Sequence, residues 1–537
     1  MKYKIFSIIL TIIFISIIWH PVIGKLESSF FNTNQDGYTK NKNLMSYNED
    51  DWWPMFRHDS NNLAYSTSTA PNSFTIIWDK GVGYMNEDSP VMYNNRVIMV
   101  GKDPKTVYCY NADTGSKHWT YKVGSIMTTS STPAIFDDRV YIGLKGEELE
   151  DKLLCLNLET GRKVWSITEI GNIFSSITIY NNRLYFGADD KNIYCYDIES
   201  QEEIWTYETG DNVISSAAVT DGKVYVGSDD FNLYCLDSET GNMTWFFHTK
   251  GKVTSSPAVY DGKVYFGSCD DNIYCLNAET GELIWKFKTN YCVESSPSIM
   301  DDRIFIGSSD SYLYCLDLET GDLIWKYDTG DFVLASPASA DNKVYVNSIR
   351  NDLYCINSTN GKLIWKYNPD PDNQQVYCRS SPIIGANRII APFYPGSLIC
   401  FKERPPEIPE TPSGPTSGKS GTKYTYTTST TEPDGNRIYY MFDWGDESNK
   451  SWLGPFNSGQ KISASHTWEF EGTYNIRAKA KDIYGAESDW SDPLSVNIPK
   501  NRIINDFYLD FLNNNSFLNK IFNHLFNFYL IPSDNNR

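Results

Sequence analysis

The chain repeats itself at a fixed interval. DSETGNMTW at 237–245 returns as NAETGELIW at 277–285 and as DLETGDLIW at 317–325. The tryptophan of this phrase stands at Trp119, Trp165, Trp205, Trp245, Trp285, Trp325 and Trp365; the first interval is 46 residues and the next five are 40. Cysteine keeps the same step through Cys109, Cys155, Cys195, Cys235, Cys275, Cys315, Cys355 and then Cys400. A third marker is Ser-Pro at Ser89, Ser256, Ser296, Ser336 and Ser381, with Thr132-Pro133, Ser176-Ile177 and Ser216-Ala217 as its degenerate forms. The markers count eight units. Self-similarity at such a period means small modules that bury their apolar faces only by stacking on their neighbours.

One unit, SSPAVYDGKVYFGSCDDNIYCLNAETGELIWKFKT at 255–289, divides into four strands: SSPAVY, KVYFGS, NIYCLNA and ELIWKFKT. Asp261-Gly262 is a two-residue hairpin signal, and Gly281 suits the positive φ of a tight turn. Alternation sends Tyr274 and Leu276 to one face and Ile273 and Cys275 to the other. Both faces are apolar, so each sheet needs cover on both sides. Four strands in about 40 residues, closed in a ring that limits exposed edges, describe a β-propeller. The tryptophans, Trp78 included, are expected to wedge between neighbouring blades.

The ends of the count suggest how the ring shuts. The eighth unit, SSPIIGANRIIAPFYPGSLICFKE, has three strands and no following Thr-Gly-x-x-x-Trp. SFTIIWDKGVG carries Trp78 with no three strands before it. Residues 74–80 are therefore expected to supply the last blade's fourth strand. The fold expected is all-β: an eight-bladed propeller over 51–403 closed by an N-terminal strand.

These repeats resemble the PQQ-like propeller repeat family, with Gly four residues before Trp. WWPMFRHDSNNLAYSTSTAP at 52–71 is similar to the lead-in of secreted members, including the eight-bladed outer-membrane assembly lipoproteins. The third blade departs from the pattern, with Gln201 where the turn glycine belongs. The resemblance implies either a non-catalytic protein that binds proteins or polymers, or a quinoprotein alcohol or sugar dehydrogenase holding pyrroloquinoline quinone and calcium. The dehydrogenases' adjacent-cysteine disulfide and C-x-x-C-H haem site are absent from the sequence, and their Glu-Asn-Asp set has no place on these loops. The expectation is thus binding or scaffolding without a cofactor. A third reading is an envelope-assembly scaffold, although no cysteine follows the signal to accept a lipid.

No other chemistry stands out. The six histidines show no metal-binding spacing, and neither a G-x-S-x-G elbow nor a phosphate loop is present. The loops between second and third strands are acidic, at Asp189, Asp190, Asp229, Asp230, Asp270, Asp271 and Asp310. Such residues cap turns; a ring of them would also focus negative potential on a cation or a basic partner. The repeat cysteines read as small buried residues. Cys269, Cys292 and Cys378 break the pattern, and Cys269 and Cys292, on loops of one rim, are a candidate disulfide in an oxidising compartment.

Composition places the chain outside the cytoplasm and away from nucleic acid. A net charge of −20 repels phosphate backbones. Lys2 and Lys4 precede an apolar run from Ile5 to Trp19 and then Gly24, the layout of a signal peptide at 1–24. Residues 25–50 read as a flexible segment. A secreted or cell-surface location is expected, where Asn242, Asn357 and Asn449 are glycosylation sequons. After Phe401, KERPPEIPETPSGPTSGKSG reads as a linker over 404–421. Five alternating strands follow over 422–499, suggesting a β-sandwich. FDWGDES (442–448), HTW (466–468) and GTYNIRAKAKD (472–482) resemble PKD-like domains of the immunoglobulin-like class, which implies a spacer or adhesion module; Asp443 and Asp446 read as turn formers rather than calcium ligands. The tail 500–537 carries Phe517, Leu518, Ile521, Phe522, Leu525 and Phe526 at helical spacing, an amphipathic segment for docking or peripheral membrane contact.

Overall fold

The computed structural model describes residues 51–499, except 73–74, 85–87, 103–104, 125–130, 147–149, 372–376, 449 and 484. The signal-like segment, residues 25–50 and the tail lie outside the described residues. All regular structure among the described residues is β. No helix among them is long and apolar enough to cross a membrane.

The repeat region forms eight four-stranded antiparallel sheets. One of them runs Ala258–Tyr260, Lys263–Ser268, Asn272–Asn277 and Leu283–Lys288, in that order. Seven sheets take their strands consecutively. The eighth joins Ile383–Gly385, Arg388–Phe393 and Ser397–Phe401 to Ile76–Gly81, with Trp78 opposite Cys400 and Gly81 opposite Ser397. Each sheet is buried on both faces. Ile273 and Cys275 pack with Ile304 of the following sheet, whereas Tyr274 and Leu276 pack with Tyr225 of the preceding one.

Each first strand is shorter than the sequence pattern suggests, three residues rather than six. The marker residues just before it bond sideways instead of along the sheet, with or without proline. Where proline follows, it has no N–H to give a ladder; each marker's N–H donates to the next sheet and its hydroxyl oxygen accepts from the preceding one. The backbone N–H of Ser216 donates to Ser256 Oγ (2.9 Å), Ser256 to Ser296 (2.9 Å), Ser296 to Ser336 (2.9 Å) and Ser336 to Ser381 (2.9 Å). Ser381 N–H then donates to Ser89 Oγ (2.9 Å), and Ser89, Thr132 and Ser176 pass the series on to Ser216 (3.1, 3.2 and 2.8 Å). The eight marker residues thus form one returning circuit.

The tryptophans bond across the same boundaries. Trp78 Nε1 donates to Ala112 O (2.8 Å), Trp119 to Leu158 O (2.8 Å), Trp205 to Ser238 O (3.0 Å) and Trp285 to Leu318 O (3.2 Å). Each of these rings lies against the turn of the next sheet. A Cβ at Gly321 would fall 2.6 Å from Trp285 Cδ2, and φ there is +74°. Gln201 keeps the same turn at φ 62°, with its N–H on Asp197 O (3.0 Å).

The C-terminal region has a four-stranded sheet, Leu453–Phe456, Ile438–Asp443, Gly472–Asp482 and Leu494–Ile498, and a two-stranded one, Lys423–Thr428 with Ile462–Thr467. Trp468, Tyr426, Tyr440 and Ile476 are buried between them. The Pro-rich stretch before it is not the unpacked linker its composition suggests. Ser413 and Thr427 exchange backbone bonds (2.8 and 2.9 Å), Glu410 N–H reaches Ser429 O (2.9 Å), and Glu407 N–H reaches Thr431 O (2.9 Å). Proline-rich backbone suits an edge, where some N–H groups face no partner.

Candidate functional site

The acidic loops and the loops that join successive sheets share one rim. Their backbones bond directly: Asp229 N–H to Asn212 O (2.9 Å) and Cys269 N–H to Lys252 O (2.9 Å). A three-residue device recurs there. Asn232 and Tyr234 share one face of their strand by their spacing of two, and Asp230 sits in the turn just before it. Asp230 Oδ2 accepts from Tyr234 Oη (2.7 Å) and from Gly210 N–H in the neighbouring loop (2.7 Å), while Oδ1 accepts from Asn232 N–H (3.0 Å). Asp190 serves Tyr194 and Gly171, Asp270 serves Tyr274 and Lys250 N–H, and Asp310 serves Tyr314 and Asn290 N–H in the same way. Burial opposes the charge of Asp270, but hydrogen bonds led by Tyr274 hold its carboxyl below the ordinary value. Each tyrosine is pushed above its ordinary value, first by burial and then by its aspartate.

The remaining rim acids also have protein partners. Asp189 accepts from Asn172 N–H and Nδ2 (both 2.8 Å), Asp229 pairs with Lys252 (2.7 Å), and Asp271 pairs with Lys288 (2.9 Å). These carboxylates shape loops. Alongside charged side chains, the rim leaves aromatic rings uncovered: Phe231, Tyr291, Phe332 and Tyr377 are exposed. The near-parallel rings of Tyr291 and Phe332 come from two successive loops, with centroids 6.3 Å apart. Cys269 and Cys292, one from each kind of loop, have bonded sulfurs and pin the loop at the residue after Tyr291. The other nine cysteines are buried thiols; burial pushes Cys275 and Cys355 to about 12 and Cys378 to about 11, where they are unreactive.

At the mouth of the rim, one repeat position stands two residues before each circuit hydroxyl. It holds Phe174, Ile214, Thr254, Glu294, Leu334 and Arg379. Arg379 reaches Glu294, two loops away along the circuit, at 3.5 Å. Among these described residues three are apolar, and the one carboxylate, Glu294, faces a guanidinium. Among the described residues, the one group of His, Cys, Asp or Glu close enough to share a cation is Cys269, Cys292 and Glu294, whose two sulfurs are bonded to each other. A quinone with its calcium needs convergent oxygen ligands, and the described residues of this set do not fit that pair.

Beneath the mouth lies a feature that the repeat pattern did not reveal. Residues 51–66 run along the first strands of seven of the eight sheets. Trp53 and Met92 exchange backbone bonds (2.9 and 2.7 Å). Ile135 donates to Pro54 O (2.8 Å), Val219 to Ser60 O (2.7 Å), Val259 to Asn61 O (2.9 Å), Ile299 to Leu63 O (2.9 Å), Ser339 to Ala64 O (3.0 Å) and Ala386 to Asp51 O (3.3 Å). First strands are sheet edges, with a row of backbone groups that need partners; this segment supplies them. Asn62 Nδ2 spans Ala217 O (3.1 Å) and Pro257 O (2.9 Å), and the buried Arg57 donates to Pro337 O (2.6 Å) and to Pro297 O. Burial lowers the guanidinium to about 9, and Asp59 opposes the shift.

The segment is clasped into a loop. Asp51 Oδ2 accepts from Thr67 Oγ1 and Ser66 Oγ (both 2.9 Å), and Oδ1 meets His58 Nε2 (3.1 Å). Burial works against both charges, yet the hydrogen bonds win: Asp51 falls to about 2, and His58, bonded to Asp51 and Asp59, rises to about 10. The sequence signal for this plug is slight. Arg57, His58, Asn62 and Ala64 all adopt positive φ, which asparagine and histidine favour but arginine and alanine do not.

Comparison with known proteins agrees with this architecture. A family model described as outer membrane protein assembly factor BamB matches residues 105–218, 202–298 and 269–404, and a PKD domain model matches 409–492. No curated protein matches the chain. Among solved structures, BamB from Moraxella catarrhalis is similar at 17% identity and a TM-score of 0.53, covering 62% of this chain and 100% of that one. A europium-containing methanol dehydrogenase is similar at 10% identity and 0.54, covering 64% and 90%. Quinohemoprotein alcohol dehydrogenase from Comamonas testosteroni is similar at 11% and 0.55, covering 66% and 81%. At these identities the likeness is one of fold.

Proposed function

Because the chain belongs to the repeat family described as outer membrane protein assembly factor BamB and carries a PKD domain, we propose that it is a non-catalytic binding and scaffold protein of the cell surface or envelope. Its eight sheets are the blades of one closed propeller, and Ile76–Gly81 is the seam. The returning circuit from Ser381 to Ser89 and the pairing of Trp78 with Cys400 support that closure. The rim of acidic loops, with its exposed aromatics and the Tyr291 loop pinned by Cys269–Cys292, is the face that meets a protein or surface polymer; exposed apolar patches of this kind mark interaction sites. The PKD domain is a spacer or adhesion module.

One observation carries the preference for binding over oxidation. The space enclosed by the first strands is filled by the protein's own segment, with Arg57 and Asn62 on the carbonyls that face it. Among the described residues, the carboxylate at the mouth above, Glu294, is paired with Arg379. The test is direct. The purified chain is incubated with pyrroloquinoline quinone and calcium, and dye reduction is followed with primary alcohols and aldoses. No turnover and no bound quinone in native mass spectrometry are expected; quinone-dependent turnover would overturn the reading. Pull-down from the envelope, compared with a Tyr291→Ala/Phe332→Ala variant, tests the rim.

A further inference from the structure

The PKD domain holds a feature that the scaffold reading does not use. On the strand Gly472–Asp482, Arg477, Lys479 and Lys481 occupy alternate positions, so their side chains share one face. At about 3.4 Å per residue, the three cations repeat at about 6.8 Å. Their cross-strand neighbours are Asp443, Met441 and Tyr439. Two indoles interleave with them. Around Trp490 stand Lys450 Nζ at 5.4 Å, Arg477 Cζ at 5.5 Å and Lys479 Nζ at 5.9 Å. Lys481 Nζ lies 4.4 Å from Trp452 and 5.8 Å from Tyr439.

Like charges placed side by side repel one another, and this chain is otherwise strongly acidic. Asp443 offsets Lys450 and Arg477 (both 3.1 Å), and Glu487 pairs with Lys479. Among the described residues, Lys481 faces rings rather than a carboxylate. Arg477 and Lys450 remain 44% and 40% exposed, so their charge is presented to solvent as well as to Trp490. The result is a straight row of cations flanked by flat apolar surfaces, on a body that repels anions elsewhere.

We propose that this sheet face binds a linear, carboxylate-bearing polysaccharide. Its charges meet the row of cations and its sugar rings lie on Trp490 and Trp452. A slender single chain can follow one sheet face. A nucleic acid duplex would bring its far denser charge against a chain whose net charge is −20. The site is separate from the propeller rim and does not depend on that rim's role.

The experiment uses the full chain and polygalacturonate, titrated by calorimetry at low salt, with dextran as the neutral control. Binding to polygalacturonate and none to dextran is expected, weakening steeply as salt rises. An Arg477→Gln/Lys479→Gln/Lys481→Gln variant is expected to lose at least tenfold in affinity with unchanged near-ultraviolet dichroism. Should that variant misfold, Trp490→Phe and Lys481→Gln, each a milder change, are expected to weaken binding severalfold. No binding by the parent chain, equal binding by the folded variants, or equally tight binding of a poly(dT) strand would each overturn the proposal.

Discussion

The contact of each tryptophan with its neighbour's turn can be separated from the turn itself. Gly321 and Gly222 have nearly the same backbone, φ +74° and +73°. An added Cβ at Gly222 meets nothing within 4 Å, whereas at Gly321 it falls 2.6 Å from Trp285 Cδ2 and 2.7 Å from Cε3. Gly222→Ala therefore carries only the left-handed backbone cost, about 1–2 kcal/mol. Gly321→Ala carries that cost plus overpacking of about 1–3 kcal/mol, because the indole is buried and tied to Leu318 O. The backbone contribution cancels in the comparison, leaving about 1–3 kcal/mol for the wedge. For a region of this size each kcal/mol shifts the melting temperature by about 2 °C. Scanning calorimetry of the two variants should place Gly321→Ala about 2–6 °C below Gly222→Ala. Equal melting temperatures would show that the indole gives way freely and that the wedge does not couple the sheets.

Three further outcomes follow from the plug and the rim. The raised His58 stabilises the fold fully below its unfolded value of about 6.5, and that contribution is lost as pH rises through about 10; His58→Gln should lower stability at pH 7 and flatten the alkaline decline in a pH series of urea melts. Arg57→Ala leaves the Pro297 and Pro337 carbonyls without their donor, so a loss of about 2–4 kcal/mol is expected, with faster amide exchange at Val259, Ile299 and Ser339. Non-reducing peptide mapping should recover Cys269 linked to Cys292 and leave the other nine cysteines resistant to alkylation until the chain is unfolded.

How far the fold could be read from the residues depends on which interactions repeat. Strand alternation placed Ile273 and Cys275 opposite Tyr274 and Leu276, and those pairs do enter different cores. The Ser-Pro marker served only to count units: its partners are the markers themselves, 40 residues apart for Ser216 and Ser256, but periodicity alone does not say that a backbone N–H and a hydroxyl meet there. The rim aspartates were visible as acids, but their partners were not. Tyr234, four residues from Asp230, is near in sequence; Gly210 N–H, twenty residues away, is near only in space. The packing of the Pro-rich stretch on the sandwich was hidden for a similar reason, since edge pairing asks little of composition.

The plug shows why a single copy can matter more than a repeat. Eight inner strands present eight sets of backbone groups, and no side chain in the repeat satisfies them along their whole length. A non-repeating segment can, because each residue meets a different sheet in turn: Trp53 one, Pro54 the next, and Ser60, Asn61, Leu63 and Ala64 four more in succession. The same stretch of chain continues into Ile76–Gly81, so the residues that fill the middle and those that complete the eighth sheet belong to one covalent strap. Removing 51–67 while keeping 76–81 therefore exposes seven strand edges without unpairing Trp78 from Cys400. Such a truncation should keep its sheet dichroism yet associate through the bared edges, and a monomeric, protease-resistant product would show that the inner strands need no partner.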